Sequence, residues 1–285
     1  MREPPPLSIV IPTREGIDEL APVLAALEAQ VERTGAEVIV VGPAEQSATP
    51  AWLRVVTMRD EDIYSLRTVG LREARGAVVA IGEDHAVPRD DWSESIVRAH
   101  AEHPATPAVV GCMYNGTAAT LAGRSNFLAF AAPFEAPMPT LRARRPPPSS
   151  IVSLKASALE AAREEAGYLE ATLIPRLFEE GRIAADDRIV IDHYQDNGMR
   201  WSIVNAFHSA RASYGAARAG LDRSQRLYTA RWSLVNWPRR ILSEARAATG
   251  SRIDLAAVAA IAAAAALGAA SGSLAGPGRS SARVA

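Results

Sequence analysis

Glu83, Asp84 and His85 stand side by side in the stretch Ala77–Trp92, AVVAIGEDHAVPRDDW, and each can bind a cation or move a proton. They follow five small apolar residues and precede a turn at Pro88. Two carboxylates and an imidazole cannot all enter an apolar core, because an unpaired buried charge is too costly. They must be solvated, paired or bound to a cation. Acid and imidazole donors suit Mg2+ or Mn2+ when the chain supplies few ligands and a ligand's phosphates complete the shell. His193, directly after the apolar run IVID, offers a second imidazole. A strand-end acidic patch is also ordinary turn chemistry, so the triplet alone does not decide between the two.

The elements that must position these residues read as an α/β sheet. Leu7–Pro12 (LSIVIP), 36–42 (AEVIVVG), 53–57 (LRVVT) and 77–81 (AVVAI) are short apolar runs of the kind found in buried parallel strands. Residues 17–33 carry Leu20, Val23, Leu24, Leu27 and Val31 on one face, an amphipathic helix, and 63–74 reads as another. Alternation of strand and helix at this spacing predicts a mostly parallel sheet flanked by helices. Ligands of such sheets sit at the carboxyl ends of the strands, which is where GEDH falls. Val109–Gly111, Ile151–Leu154 and 189–193 read as further strands and 156–180 as helical. Residues 133–149, rich in Pro and Ser, read as a mobile loop, either a linker or a segment that closes on a substrate.

Composition narrows the class. With 285 residues, 48% hydrophobic and a net charge of −1, the chain is globular. The single cysteine, Cys112, excludes an intrachain disulfide and a cysteine zinc cluster, and fits a reducing compartment. The N-terminus, MREPPPLSIVIP, has too short an apolar run for a signal peptide, so the catalytic part is expected in the cytoplasm. No G-x-G-x-x-G follows the first strand and no G-x-S-x-G is present, which disfavours dinucleotide oxidoreduction and serine hydrolysis. A nucleotidyltransferase would want a glycine-rich, lysine-assisted phosphate loop, and PTREG is a poor one.

Taken in order, LSIVIPTREG, AEVIVVG and LRTVGLREARGAVVAIGEDHAVPRDDW resemble glycosyltransferase family 2, whose fold is the GT-A α/β sheet. Arg67, Gly70, Ala74 and Gly76 occupy that family's R-N-x-G-l-x-x-A-x-G pattern. Glu83 and His85 fall where its D-x-D aspartates would be. IVSLKASAL, AGYLEATLIPRLFEEGRI and IVIDH resemble its acceptor-side strand, acidic helix and following strand, so the likeness covers residues 7–195.

The resemblance implies an inverting transfer of a sugar from a nucleotide-sugar to an acceptor hydroxyl, with Mg2+ or Mn2+ neutralising the leaving diphosphate. It assigns His85, Glu83 and His193 to the metal. Pro12, Thr13, Arg14, Arg67, Glu83 and Asp84 go to the donor, and Glu170, with Glu165 in reserve, serves as the base. Arg67 either faces phosphate or pairs with Asp60 or Asp62. The departures are also informative. The second strand ends in Gly42-Pro43-Ala44-Glu45 instead of D-D-G-S, so only Glu45 could replace the acid that reads the base. His85 in place of aspartate makes metal binding pH-sensitive. A catalytically inactive partner protein that binds a nucleotide-sugar is the alternative reading.

The expected organisation is a GT-A-like domain over 1–198, with a nucleotide half 1–112 and an acceptor half 113–198, followed by a helical tail over 199–285. The first 198 residues carry 19 basic and 29 acidic side chains, whereas 199–252 carry ten arginines against Asp222 and Glu244. Arginines interleaved with Trp201, Tyr228, Trp232 and Trp237 suit an anionic membrane surface. No nucleic-acid motif accompanies them, so no nucleic acid is expected. IDLAAVAAIAAAAALGAASGSLAG, from Ile253, is long enough for one C-terminal span but weakly apolar. It is either such a span or a helix packed on the domain. The arginines before it would keep the domain at the cytoplasmic face, which suits a lipid-linked or cell-envelope acceptor.

Overall fold

The computed structural model describes residues 4–43, 49–50, 52–59, 61–137, 145–160, 172–195 and 197–284. In chain order the first elements are β1 (Leu7–Pro12), α1 (Ala21–Thr34), β2 (Glu37–Gly42), β3 (Leu53–Thr57), α2 (Ile63–Glu73), β4 (Val78–Ile81), β5 (Ala86–Pro88), α3 (Trp92–Glu102) and β6 (Ala108–Asn115). They are followed by α4 (Leu121–Phe130), β7 (Val152–Lys155), α5 (Ala156–Leu159), α6 (Leu173–Glu179), β8 (Ile183–His193), α7 (Gly198–Ala217), α8 (Arg223–Ala248) and α9 (Arg252–Ala275). Two compact units emerge, Met1–Tyr114 with Phe134–His193, and Asn115–Pro133 with Tyr194–Ala285.

The first unit is built on one sheet in the order β3-β2-β1-β4-β7-β6-β8-β5. The neighbours β3, β2, β1 and β4 run parallel, as the sequence predicts. The pairs β4–β7, β6–β7 and β5–β8 are antiparallel, so the sheet is mixed rather than parallel throughout. Of the parallel strands, β1, β2 and β4 are covered on both faces and the edge strand β3 only in part. Leu7, Val10, Ile11 and Val38 through Val41 are all fully buried, and the continuous apolar runs follow from that. Helix α2 lies directly on this layer at Gly70, where a Cβ would stand 2.2 Å from Val10 Cγ1. The register Val10↔Ile81 levels the ends of β1 and β4. The residues after Pro12 and after Ile81 therefore leave the sheet at one edge.

Three strands differ from the sequence reading. Strand β6 extends to Asn115, and β8 begins at Ile183 instead of 189. The early half of β8, IAADDR, is only partly covered and pairs its own charges, with Arg188 Nε donating to Asp186 Oδ1 at 2.8 Å. Such a segment shows no apolar run. Strand β5 has three residues ending in proline and is held by β8 through Ala86↔His193 and Val87↔Asp192. The loop expected over 133–149 contains short 3-10 turns at Ala132–Phe134 and Ser149–Ile151, and its centre lies outside the described residues.

The second unit packs α4, α7 and α8 around α9. Its core is mostly alanine, with Ala206 and Ala210 of α7, Ala245 of α8 and Ala262, Ala265 and Ala269 of α9 beside Ile241, Val258 and Ile261. Small side chains let the backbones of α7 and α9 touch. A Cβ on Gly268 would meet Phe207 O at 2.1 Å, and one on Gly272 would meet Arg211 O at 2.4 Å. Asp254, in the first turn of α9, is buried and pairs with Arg124 of α4 at 3.2 Å. Helix α9 is long and apolar enough to cross a membrane, yet more than half of its most apolar stretch is buried inside the molecule.

Candidate functional site

Strand β4 ends at Ile81, and Gly82 N–H donates to Val10 O at 2.8 Å, carrying the edge of the sheet one residue further. Glu83, Asp84 and His85 then form the turn into β5, with Ala86 N–H donating to Glu83 O. Pairing of Ala86 with His193 brings the end of β8 alongside this turn. Two devices hold it there. Buried Gln30 of α1 donates from Nε2 to Arg89 O at 2.9 Å and accepts from Ser93 N–H. The Arg89 guanidinium grips Asp192 through two bonds of 2.9 and 2.8 Å and lies 4.4 Å over the Tyr114 ring.

The outcome is a cluster that the sequence brings together from two distant segments. Glu83 Oε2 lies 3.7 Å from His85 Nε2 and 3.7 Å from His193 Nε2. The two imidazoles meet edge to face with centroids 4.6 Å apart. All three donors lie within 4.8 Å of one another and are partly buried. The other Glu83 oxygen accepts from Arg67 Nη2 at 3.1 Å. Arg67, placed by sequence at a phosphate or beside Asp60 or Asp62, is nine-tenths buried and anchors Glu83, while Asp62 caps α2 through Tyr64 N–H and Ser65 N–H. Asp60 lies outside the described residues.

Asp84 bonds the imidazole next to it, with Oδ1 2.5 Å from His85 Nδ1. A proton on Nδ1 leaves Nε2 as a free lone pair facing Glu83 and His193, the carboxylate–imidazole arrangement that orients metal ligands. Burial pulls the His85 pKa down, but the Asp84 hydrogen bond and the charges of Glu83 and Asp84 outweigh it and hold it above the ordinary imidazole value. Burial raises Asp84 in turn, and its bond and attraction to His85 more than reverse this. His193 is pushed down to about 4, by burial first and then by the His85 charge, so its ring is neutral at pH 7.

The donor set fits a divalent ion. Ligands in adjacent positions around a cation at 2.0–2.2 Å stand about 3.0–3.5 Å apart, so the two 3.7 Å separations are a few tenths of an ångström wide and the two imidazole nitrogens, within 4.8 Å of each other, must also draw together. Two imidazoles and one carboxylate suit a first-row transition ion better than Mg2+, which prefers an all-oxygen shell.

At the same edge, over the ends of β1, β2 and β3, lies a cleft of about 290 Å3 lined by Arg14, Pro43, Met58, Arg59, Glu61 and Leu66. Of the residues assigned to the donor, Arg14 faces it. Pro12 ends β1, and Thr13 is fully buried, its Oγ1 accepting from Glu15 N–H and Gly16 N–H and its N–H donating to Val41 O. Thr13 thus shapes the loop that presents Arg14. The sequence reading missed Met58, Arg59 and Glu61. Their signal was the run MRDED directly after an apolar strand, the same pattern that singled out Glu83. Leu66 lines the cleft while its neighbour Arg67 reaches Glu83, so one turn of α2 borders both places. Glu170, Glu165 and Glu45 lie outside the described residues.

No protein-family model matches the sequence, and no curated protein does. Solved structures do. The chain is similar to the mannosyltransferase PcManGT from Pyrobaculum calidifontis, solved with GDP-Man and Mn2+, at 18% identity over 94% of this chain and 87% of that one, TM-score 0.57. It is also similar to S. aureus TarS 1-349 solved with UDP-GlcNAc, at 13% identity over 93% of this chain and 90% of that one, TM-score 0.49. The first likeness extends over nearly the whole chain. It shows the fold, which is that of a GT-A-like glycosyltransferase.

Proposed function

We propose that this chain is a metal-dependent, inverting glycosyltransferase that moves a sugar from a nucleotide-sugar to an acceptor hydroxyl at the cytoplasmic face of a membrane. The observation that carries the reading is the convergence of Glu83, His85 and His193 at the carboxyl edge of a GT-A-like sheet, on the side where the cleft opens. In this reading the cleft takes the nucleoside, with Arg14 and Arg59 at its wall and Met58 and Leu66 as apolar surface for the base. The diphosphate lies toward Glu83.

Glu83, His85 and His193 would hold a divalent ion, which would supply electrostatic and Lewis-acid stabilisation to a departing nucleoside diphosphate. The donor set favours Mn2+ over Mg2+. Arg67 aims Glu83 through its hydrogen bond, and Asp84 fixes the His85 tautomer. Glu170, with Glu165 in reserve, takes the proton of the attacking hydroxyl by the family resemblance. An acceptor that is lipid-linked or part of the cell envelope agrees with the arginine-rich α8.

The test is a panel of guanosine and uridine diphosphate sugars scored by thermal shift and donor turnover, with and without Mn2+. GDP-mannose, the donor of the Pyrobaculum calidifontis structure, belongs at its head. One nucleotide class should raise the melting temperature only with metal, since a ligand bound to the folded state stabilises it by mass action. Glu83→Ala and His85→Ala should abolish both shift and turnover, and Glu170→Gln turnover alone. Metal-independent binding without turnover supports the inactive partner protein instead.

A further inference from the structure

Helix α8 has its buried side in Ala230, Ser233, Ile241 and Ala245. On the other side Tyr228, Arg231, Val235, Arg239 and Arg246 recur at spacings of three, four and seven, which makes one stripe along the helix, while Leu242 packs against the core. At 1.5 Å per residue it runs for about 27 Å. Tyr228 is 69% exposed and Val235 46%. The three arginines of the stripe are exposed as well. Glu244, the one acid in α8, falls about half a turn away on the helical wheel. Arg240 stacks on Trp232 with its guanidinium carbon 5.4 Å from the ring centroid.

A stripe of exposed cations that also carries two exposed apolar side chains and no acid is complementary to a surface that is apolar below and anionic above. We infer that α8 lies in the plane of an anionic phospholipid bilayer, with Tyr228 and Val235 among the acyl chains and Arg231, Arg239 and Arg246 at the phosphates. This deepens the membrane part of the proposed function and replaces spanning by α9 with in-plane docking by α8. The alanine and glycine side of α9 is already spent on α7, α8 and α4. A second copy of the chain is the weaker occupant, because a two-fold contact through this stripe would set arginine against arginine with no acid to answer it.

The experiment is co-sedimentation of the full chain with sucrose-loaded vesicles, either pure phosphatidylcholine or phosphatidylcholine with 30% phosphatidylglycerol (roughly the anionic share that builds a surface potential). Binding to the anionic vesicles alone is expected, weakening as salt rises. Arg231→Glu/Arg239→Glu should weaken it at least about tenfold, and Tyr228→Ser/Val235→Ser should weaken it by a similar factor. Both pairs sit on the surface, and circular dichroism checks their folding. Equal binding to neutral vesicles, no binding to anionic ones, or loss of binding only with Leu267→Ser/Leu274→Ser on α9 would overturn the inference. So would a dimer in lipid-free sedimentation velocity that the α8 variants dissolve. No donor or metal takes part, and Glu83→Ala should bind vesicles like the wild type, so failure here leaves the transferase reading intact.

Discussion

The two units of this chain are stabilised in opposite ways. In the sheet unit, large branched side chains fill the interior and single polar residues are fixed one at a time, Gln30 on Arg89, Arg89 on Asp192, Arg67 on Glu83. In the helical unit, alanine and glycine lie inside while Tyr228, Val235, Ile253, Leu267 and Leu274 face outward. The first pattern fixes a few polar side chains through specific hydrogen bonds. The second brings backbones into contact and leaves several large apolar side chains exposed. A site that must bind an ion needs the former, and a docking module is served by the latter.

Breaking the site should cost function and little stability. His193→Ala is expected to lower donor turnover by at least about 10²-fold, with the melting temperature in the absence of metal moving by a few degrees at most. Loss of fold in place of loss of turnover would make the cluster a structural feature. Breaking the backbone contact should do the reverse. Gly268→Ala would gain up to about 1 kcal/mol of helix propensity at an open position. Here its Cβ meets Phe207 O at 2.1 Å, so a net loss of about 2 kcal/mol in urea unfolding is expected. A stabilised variant would mean that α7 and α9 are not in contact.

A third test sharpens the contrast through pH. His100 in α3 is buried, bonds Ser153 Oγ at 2.9 Å and has its pKa lowered to about 4, by burial first and by Lys155 second. The unfolded chain takes up a proton near pH 6.5 and the folded one does not until about pH 4. The contribution is therefore complete above pH 6.5 and disappears as pH falls toward 4. Between pH 7 and pH 4 the wild type should lose on the order of 2–3 kcal/mol more stability than His100→Gln. Parallel curves would contradict this. The smallest effect belongs to Asp84→Asn, which spoils the orientation of His85 and should weaken metal binding by about tenfold in calorimetric titration. Unchanged affinity would remove Asp84 from the site.

Sequence reading recovered the parallel half of the sheet because strands covered on both faces must be continuously apolar, and LSIVIP, EVIVVG and VVAI are. It also singled out Glu83, His85 and His193, which the structure brings close together, because polar groups directly after buried runs leave the core at the sheet edge. What it lost depends on partners distant in the chain. Strand β5 is three residues long and exists because β8 lies beside it, and the polar first half of β8 is tied to α3 by Arg188, which pairs with Glu102 as well as with Asp186. The cleft residues Met58, Arg59 and Glu61 come from a loop with no period of its own. In α9 alanine occurs on every side, so no periodicity told which face was buried, and only the glycines at 268 and 272 mark it.

The central claim is that Glu83, His85 and His193 form one cation site. It is tested most directly by titrating Mn2+ into the protein and following the signal of the free aqueous ion by electron paramagnetic resonance, with GDP or UDP present. One equivalent of Mn2+ should vanish from the signal with wild type and remain free with Glu83→Ala. Equal uptake by the two proteins, or none by either, would contradict the account.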